Sequence, residues 1–214
     1  MTYDSSYFRE QQYDRKGGAI IDLHRKILKW AELPEGTSKI ALDIGAAYGY
    51  TTELLRQLKY QAVGLDISRF ACSRNVNPII RAGSQTLPIR DATLDLVTCF
   101  DTVEHLVAPE QLIGETFRTL KPAGRLIMST PTKLGNRMLK ICDLTRGAGD
   151  RADKEIHPSV KTPNEWAKKL EMAMFVDCNY DFFSILPTVR GSYKLITNSP
   201  SYLSTHVLLC ASKH

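Results

Sequence analysis

Between residues 17 and 130, apolar stretches of two kinds alternate along the chain. Some are short and nearly continuous, which is typical of strands buried on both faces, and others repeat every three or four residues, which is typical of one helical face. The pattern predicts strands at residues 39–45, 61–67, 79–82, 94–100 and 125–130. It predicts helices at residues 17–31, 50–59, 68–75 and 109–120. A regular alternation of this kind indicates a doubly wound α/β sheet, in which ligands bind beyond the carboxyl ends of the strands.

The alternation stops after Pro131, and about thirty residues follow without a clear period. A connection of that length is usually a functional lid or a mobile insert. A helix is predicted again at 163–173, and two longer apolar runs at 175–186 and 203–212 predict an antiparallel pair of strands at one edge of the sheet.

Composition narrows the class of protein. The chain has 214 residues, of which 43% are hydrophobic and 24% charged, and this is ordinary for one soluble domain. No apolar run approaches the roughly 20 residues that span a bilayer, and the N-terminus has no apolar signal region, so we expect a cytoplasmic protein. Five cysteines without a CxxC pair fit a reducing compartment.

The net charge of +5 is unevenly distributed. Residues 133–169 hold nine basic and five acidic side chains, which could favour an anionic substrate or a phosphate backbone. A solvated surface loop is the more usual reason for such a segment, and no nucleic-acid-binding motif accompanies it. Nucleic acid is therefore not the expected partner.

The stretch ALDIGAAYGYTTELL, residues 41–55, has the strongest signal for a ligand. An apolar strand reaches Asp43 and turns into a helix through small residues, among them Gly45 and Gly49. Such a turn exposes backbone N–H groups and lets a ligand approach the main chain closely. It predicts a nucleotide-like cofactor.

Three further signals follow the carboxyl ends of later strands. Asp66 ends the second strand, where an acid can accept hydrogen bonds from both hydroxyls of a ribose. Residues 83–89 (GSQTLPI) follow the third strand, and residues 100–106 (FDTVEHL) follow the fourth. Each signal is weak alone, but the ordered set is specific.

With these motifs the chain resembles the class I S-adenosylmethionine-dependent methyltransferases, and most of all the ubiquinone/menaquinone-biosynthesis type that acts on small molecules. The acid followed by GxGxG is matched by Asp43, Gly45 and Gly49, with Ala47 in place of the middle glycine, a tolerable change if φ stays negative there. The family's EHL and LKPGG are matched by residues 104–106 and 120–124. The resemblance implies a Rossmann-like, mostly parallel sheet of about seven strands with an antiparallel edge hairpin.

The resemblance also implies how the cofactor, S-adenosyl-L-methionine, would be held. The turn would pack against its methionine part, Asp43 would hold the ammonium group or the turn itself, and Asp66 would bind the ribose. Relatives often carry an acid against the adenine amino group where this chain has Gly83, so that contact is either missing here or supplied by a neighbour such as Ser84 or Gln85. The predicted cofactor-binding residues are Asp43, Gly45, Ala46, Ala47, Gly49, Asp66, Ile67, Gly83, Ser84, Phe100 and Asp101.

A nicotinamide dinucleotide is the rival cofactor. Residues 45–49 do not form the GxGxxG turn of dinucleotide folds, and position 48 is a tyrosine. A negative charge at Asp43 suits an ammonium group and would repel a pyrophosphate. The sequence therefore favours the sulfonium cofactor.

His105 is the predicted catalytic residue, because an unperturbed imidazole is suited to proton transfer at neutral pH. A structural or cofactor-edge role for His105 is the alternative. Asp101, Glu104 and His105 also resemble the ExxEH set that some ubiquinone-pathway relatives use for a divalent metal, but the first position is Asp, and we assign no metal ligands. His157 is a further candidate near the substrate.

The predicted function is in-line methyl transfer to a small-molecule acceptor, by O- or C-methylation. The [DN]PP[YF] motif of many enzymes that methylate amide or base nitrogens is absent after the fourth strand. Alternatives are a non-catalytic cofactor-binding regulatory protein and an RNA methyltransferase using residues 133–169. The whole chain is predicted to be one domain, divided into an N-terminal arm and helix (1–37), a cofactor-binding core (38–131), a lid or acceptor insert (132–162), and a late helix with edge strands (163–214).

Overall fold

A computed structural model of the chain describes residues 3–10, 13–75, 77–137, 157–187, 193–197 and 204–214. The strands within these residues are β1 Ile40–Ile44, β2 Gln61–Asp66, β3 Ile79–Arg81, β4 Leu94–Phe100, β5 Leu120–Pro131, β6 Phe175–Pro187, β7 Tyr193–Thr197 and β8 His206–Lys213. The helices are α1 Ser5–Glu10, α2 Tyr13–Trp30, α3 Tyr50–Gln57, α4 Arg69–Arg74, α5 Pro109–Thr119 and α6 Pro163–Met172, with a 3₁₀ helix at Val103–His105.

The strands form one sheet in the order β3-β2-β1-β4-β5-β8-β6-β7. The first five are parallel to one another, and every pairing beyond β5 is antiparallel. The predicted doubly wound, mostly parallel fold is confirmed. The strand β4 has the predicted bounds, and its burial on both faces explains its continuous apolar run.

The antiparallel side of the predicted sheet is confirmed, and the structure adds two details. The described residues form eight strands, close to the predicted seven, because β7 pairs with β6 as an additional strand at the edge. The predicted antiparallel pair is β6 and β8, and β8 lies between β5 and β6. Apolar pattern predicts that a strand exists, whereas its neighbours are fixed by contacts between distant parts of the chain.

Two apolar cores lie on opposite faces of the sheet. On one face, α2 and α3 pack on alternate residues of the central strands, including Ala41, Leu96 and Ile127. On the other face, α5 and α6 cover a second set that includes Leu42 and Val97. This alternation places Asp43 and Phe100 on the same face as α2 and α3, which decides their neighbours in the site.

Other predictions meet the structure only in part. The predicted fifth strand starts earlier, at Leu120, because Leu120 pairs with Leu94 before an irregularity in the ladder brings Arg125 opposite Leu96. Residues 138–156, most of the predicted lid and of the basic segment, lie outside the described residues.

Among the described residues, no helix combines the length and the apolar character needed to cross a membrane.

Candidate functional site

The turn between β1 and α3 is held by hydrogen bonds from its own N–H groups. The amides of Gly45 and Ala46 both donate to the carbonyl of Leu65, at 2.8 and 3.0 Å, and the Gly49 amide donates to the Ala46 carbonyl at 2.7 Å. The Ala47 amide donates to Asp66 Oδ2 at 2.8 Å. The expectation that this turn exposes its N–H groups is therefore wrong for these four. A pyrophosphate would need such donors, so the turn suits a cationic ligand better.

Left-handed backbone appears three times in this turn. Gly45 and Gly49 have φ of 74° and 79°, where glycine is unstrained. A Cβ at Gly45 would lie 2.0 Å from Thr102 Oγ1, so the turn packs directly against the end of β4. Ala47 has φ of 45°. The negative φ that was the condition for replacing the middle glycine is not met, and Ala47 is strained by roughly 1–2 kcal/mol.

Asp43 is buried beneath the turn, with 2% of its surface exposed. Its two carboxylate oxygens accept hydrogen bonds from the hydroxyls of Thr52 at 2.9 Å and Thr98 at 2.8 Å. Burial raises the pKa of Asp43 to about 7, and the two threonines oppose that rise. Asp43 therefore links β1 to β4 and to α3, the helix that follows the turn, and its contact with an ammonium group stays a prediction.

Asp66 joins the end of β2 to the turn. One carboxylate oxygen accepts the Ala47 amide, and the other accepts the Ser68 amide at 2.7 Å. Burial raises the pKa of Asp66, and these two hydrogen bonds oppose the rise. A carboxylate has about four lone-pair sites, so Asp66 keeps acceptor capacity for ribose hydroxyls while it fixes the turn.

The predicted adenine side lies next to Asp66. Ile67 is 59% exposed, which is unusual for a large apolar side chain and provides a surface on which a flat base can pack. A Cβ at Gly83 would meet no atom within 4 Å, so space is open there. Ser84 is half-buried beside it.

Phe100 ends β4 and Asp101 follows it, but their side chains point to different surroundings. The Phe100 ring is buried on the α2 face, where its centroid lies 5.1 Å from that of His24. Asp101 is an exposed residue with φ of 46°, and its Oδ1 accepts a hydrogen bond from Ser129 Oγ at 3.1 Å. His206 Nε2 lies 4.0 Å from Asp101 Oδ2. These two histidines were not among the predicted site residues, since neither belongs to a local motif.

His105 lies in the 3₁₀ helix on the other side of this strand end. Its ring meets that of His157 edge-on at a centroid distance of 4.6 Å, and that of Tyr3 at 6.2 Å. Glu104, His105 and His157 each place one possible ligand atom within 4.8 Å of the others. This grouping differs from the set considered from the sequence, because His157 takes part in place of Asp101.

An aromatic cluster formed by the N-terminal arm covers the turn. Phe8 of α1 is 3% exposed and stacks on Tyr48 of the turn at 5.2 Å. The carbonyl of Tyr3 accepts a hydrogen bond from Ser68 Oγ, and Ser68 lies two residues after Asp66. The arm thus contacts both the turn and the end of β2. In the sequence, the signal for this role is the spacing of Tyr3, Tyr7, Phe8 and Tyr13 among polar residues.

The residues present fit S-adenosylmethionine. The amides of residues 45–47 and 49 are already hydrogen-bonded, so the turn offers no donor there to a phosphate. Asp66 can still accept hydrogen bonds from a ribose. Beyond Asp66 lie the exposed Ile67 side chain and the open space at Gly83. Asp66, Ile67 and the 45–49 turn would hold this group, with the arm as a cover.

Comparison with known proteins agrees with this geometry. Residues 42–128 match a family model described as a methyltransferase domain. A protein of Mycolicibacterium smegmatis, named a probable S-adenosylmethionine-dependent methyltransferase, is 33% identical over 98 residues, which cover 44% of this chain and 38% of that protein. The mitochondrial ubiquinone biosynthesis O-methyltransferase of Schizosaccharomyces pombe is 29% identical over 109 residues, which cover 44% of this chain and 38% of that one. The chain thus spans about two fifths of the length of these curated relatives.

Solved structures extend the likeness of fold to nearly the whole chain. A SAM-dependent methyltransferase from Archaeoglobus fulgidus superposes with a TM-score of 0.70 and 17% identity, covering 94% of this chain and 99% of that one. The matched region, residues 42–128, contains the turn, Asp66 and the strand end at Asp101. Residues 42–128 are thus similar to a methyltransferase domain and to parts of S-adenosylmethionine-dependent methyltransferases, ubiquinone O-methyltransferases among them.

Proposed function

We propose that this chain transfers a methyl group from S-adenosylmethionine to a small-molecule acceptor, at oxygen or carbon. The observation that carries the proposal is the closed hydrogen bonding of the turn. Gly45, Ala46 and Ala47 donate their amides to the end of β2, and Asp66 still has lone pairs for a ribose. This favours a nucleoside whose other end is cationic rather than phosphorylated.

The bound cofactor supplies an electrophilic methyl group on a sulfonium. The protein's own contribution is mainly orientation, because positive charge disperses as the methyl leaves and little charge has to be stabilised. Holding reactants in line can contribute ~7–11 kcal/mol in favourable cases. The rigid elements for this task are the turn, which packs on Thr102, and the strand end at Asp101.

The acceptor would lie beyond the carboxyl ends of β4 and β5, in the pocket predicted for the N-terminal arm and residues 132–162, of which 138–156 lie outside the described residues. His105 stays the predicted base for an acceptor that must lose a proton. Its ring packs against the rings of His157 and Tyr3, and the loop of His157 is fastened to the 3₁₀ helix by the Ser159 amide, which donates to the Glu104 carbonyl at 3.1 Å. The alternative role of His105 is structural, because its ring contact with His157 would help to order that loop.

Isothermal titration calorimetry with S-adenosylmethionine tests the first half of the proposal. We expect binding by the wild type and a loss of at least tenfold in affinity for Asp66→Ala. Asp22→Ala is the matched control, because the Asp22 side chain is 65% exposed on α2, away from the turn. No binding by the wild type, or equal binding by Asp66→Ala and the control, would contradict the proposal.

Turnover tests the second half. Incubation of a metabolite extract with methyl-labelled S-adenosylmethionine and the protein should give a labelled small molecule. Binding without any labelled product or cofactor hydrolysis would favour the alternative of a non-catalytic regulatory protein. Labelled RNA in an RNA-containing extract, with retention of RNA at low salt, would favour the RNA methyltransferase.

A further inference from the structure

The loop that joins β3 to β4 carries the predicted adenine side of the site. It runs from residue 82 to residue 93 and contains no helix or strand. Gly83, Ser84 and Gln85, which were considered above for the contact with the adenine amino group, lie in its first part. An irregular stretch loses much conformational entropy when it is ordered, so contacts with neighbouring elements have to hold it in place.

One arginine of α5 holds the second part of this loop. Arg118 Nη1 donates to the carbonyl of Ile89 at 2.9 Å and to Asp91 Oδ1 at 2.6 Å. Its Nη2 donates to the carbonyl of Leu87 at 3.1 Å. Within α5, Nε and Nη2 donate to the two carboxylate oxygens of Glu115 at 2.8 and 2.7 Å. A guanidinium has five N–H hydrogens, and these hydrogen bonds use all of them.

Glu115 completes the hold on Leu87. Its Oε2, which accepts from Arg118, also accepts the Leu87 amide at 2.7 Å. Both backbone groups of Leu87 are therefore bound by the Arg118–Glu115 pair, and its side chain is buried in the core that α5 and α6 cover. The hydrogen bond from Arg118 lowers the pKa of Glu115, so Glu115 is ionised at neutral pH. Leu87 is thus a fixed point of the loop.

The 83–86 segment lies between Leu87 and a second fixed point at the end of β2. The Ala82 amide donates to the Asp66 carbonyl at 3.1 Å. Within the part of the chain that the structure describes, no hydrogen bond reaches residues 83–86 themselves. The position of the 83–86 segment is therefore set by its two ends, one on the strand that carries Asp66 and one on α5.

These two ends connect the ribose side of the predicted nucleoside site to its base side. Asp66 holds Ala82 through its backbone and is the predicted ribose ligand through its side chain. The Ile67 side chain is exposed beside it, and space is open at Gly83. The distance from the ribose ligand to any oxygen of the 83–86 segment therefore depends on where Leu87 is held.

We propose that Arg118 and Glu115 are positioning residues for recognition of the adenine ring. By fixing Leu87 they hold the 83–86 segment where one of its oxygens accepts a hydrogen bond from the 6-amino group of adenine. This inference rests on the proposed function, since it takes the cofactor to be S-adenosylmethionine. Neither residue touches the cofactor. Their role is selectivity for adenine over a base that carries an oxygen at position 6.

The arrangement requires an arginine at this position. A lysine has three N–H hydrogens on a compact charge, and it cannot bind the carbonyls of Leu87 and Ile89 and both oxygens of Glu115 at once. Arg118→Lys therefore keeps the positive charge in the last turn of α5 but loses the planar fork. This substitution separates an effect of charge from an effect of position.

The test measures the affinity of the full chain for two nucleosides by calorimetry. S-adenosylhomocysteine, the demethylated form of the cofactor, carries the 6-amino group, and S-inosylhomocysteine has an oxygen in its place. That oxygen cannot donate a hydrogen bond, so the acceptor on the 83–86 segment would lose its partner. We expect the wild type to bind the adenosyl compound ~10-fold more tightly, which is the effect of one unpaired acceptor.

In Arg118→Lys this preference should fall below about threefold, because the acceptor is no longer held in place. The Leu87 amide should also exchange with solvent faster, as followed by NMR. Lys121→Ala is the matched control and should keep the wild-type preference. Lys121 has a similar side-chain exposure, 38% against 32% for Arg118, and it pairs with Asp95 at 2.8 Å at the amino ends of β4 and β5.

A variant that is merely less stable gives a different pattern. It binds both compounds more weakly by the same factor and keeps their ratio, and its melting temperature reports the stability separately. Glu115→Gln is a second variant, which serves also if Arg118→Lys does not fold. Its side chain has one oxygen where Glu115 uses two, so either the Leu87 amide or Arg118 faces an NH₂ group. We expect its preference to lie between those of the wild type and Arg118→Lys.

The outcomes separate this inference from the proposed function. Equal affinity of the wild type for the two compounds would overturn the inference and leave the methyltransferase proposal standing. The same holds for a full preference in folded Arg118→Lys or Glu115→Gln protein, or for a loss in Lys121→Ala as large as in Arg118→Lys. Binding of neither compound by the wild type would overturn the proposed function and this inference with it.

Discussion

The carboxylate of Asp66 accepts a hydrogen bond from the backbone amide of Ala47 at 2.8 Å, which fastens the end of β2 to the turn after β1. The same side chain is the predicted ribose ligand. Removing it should therefore affect the turn and the cofactor together. Asp66→Ala should lose both the hydrogen bonds that hold the turn and the predicted ribose contact. Asp66→Asn keeps one side-chain oxygen as an acceptor.

We expect the free energy of unfolding to fall by about 1–3 kcal/mol in Asp66→Ala, because two partly buried amides lose their acceptor. Asp66→Asn should be less destabilised yet still bind S-adenosylmethionine more weakly than wild type. Urea unfolding and calorimetry on the same samples measure the two effects. Equal stability of Asp66→Ala and wild type would show that the hydrogen bonds to Ala47 and Ser68 contribute little.

Ala47 in the left-handed region predicts a stabilising substitution. Ala47→Gly should raise the free energy of unfolding by up to about 1 kcal/mol, because glycine removes the strain but adds entropy to the unfolded chain. Ala46→Gly is the matched control, since Ala46 lies in the same turn and is not among the residues with positive φ. Ala46→Gly should lower the free energy of unfolding instead. If both variants change the free energy of unfolding by the same amount in the same direction, the change in Ala47→Gly does not come from relief of φ strain.

Asp43 predicts a particular dependence of stability on pH. Its folded pKa of about 7 is raised above the ordinary value of 3.8, so the folded state binds this proton more tightly. The stabilisation from this group is complete below about pH 4 and is lost as the pH rises to about 7, with an upper bound of roughly 4 kcal/mol.

We therefore compare the free energy of unfolding of Asp43→Asn with that of wild type by urea unfolding at two pH values. The difference should favour Asp43→Asn more at pH 8 than at pH 5. Thr98→Val should deepen the wild-type loss at pH 8, because the Thr98 hydroxyl holds the pKa of Asp43 down. A difference between Asp43→Asn and wild type that does not vary with pH would argue against a raised pKa.

Phe8 is expected to hold the N-terminal arm over the cofactor site. Phe8→Ala removes a ring that packs between Tyr48 and Phe70, and core substitutions of this kind cost about 3–5 kcal/mol. This loss exceeds the stability that a helix as short as α1 has by itself, so the N-terminal arm should detach from the turn. Trypsin cleavage after the exposed Arg9 should become faster, and affinity for S-adenosylmethionine should fall.

Val107→Ala serves as the comparison for Phe8→Ala. Val107 is 85% exposed, so its truncation removes apolar atoms without opening a core. Its cleavage rate and cofactor affinity should match wild type. Unchanged cleavage at Arg9 in Phe8→Ala would mean that the arm is fixed by other contacts.

His105 is the predicted base, and His105→Gln tests that role. Loss of a general base should lower kcat by ~10²–10⁴-fold, measured on the labelled product. A kcat within a few fold of wild type would argue against the catalytic role and favour the ordering of the loop of His157. His105→Gln should also loosen the loop of His157, seen as faster amide exchange at Ser159, because the ring contact is lost.

The sequence by itself determined the α/β alternation, the bounds of β4, and the set of residues around the cofactor turn. These features depend on local burial, which the spacing of apolar residues encodes directly, and on a short motif whose members are close along the chain. Asp43, Gly45, Gly49 and Asp66 could be identified in this way because each ends or follows a predictable strand.

Only the tertiary structure decided which distant groups meet. The register of β1 on β2 brings the Ala47 amide to Asp66 and closes the turn, and no spacing rule predicts that its N–H groups are already used. Insertion of β8 between β5 and β6 carries His206 to Asp101, while the packing of α2 on α3 puts His24 beside Phe100. Periodicity tells which face of an element is buried, but pairing between elements depends on long-range packing.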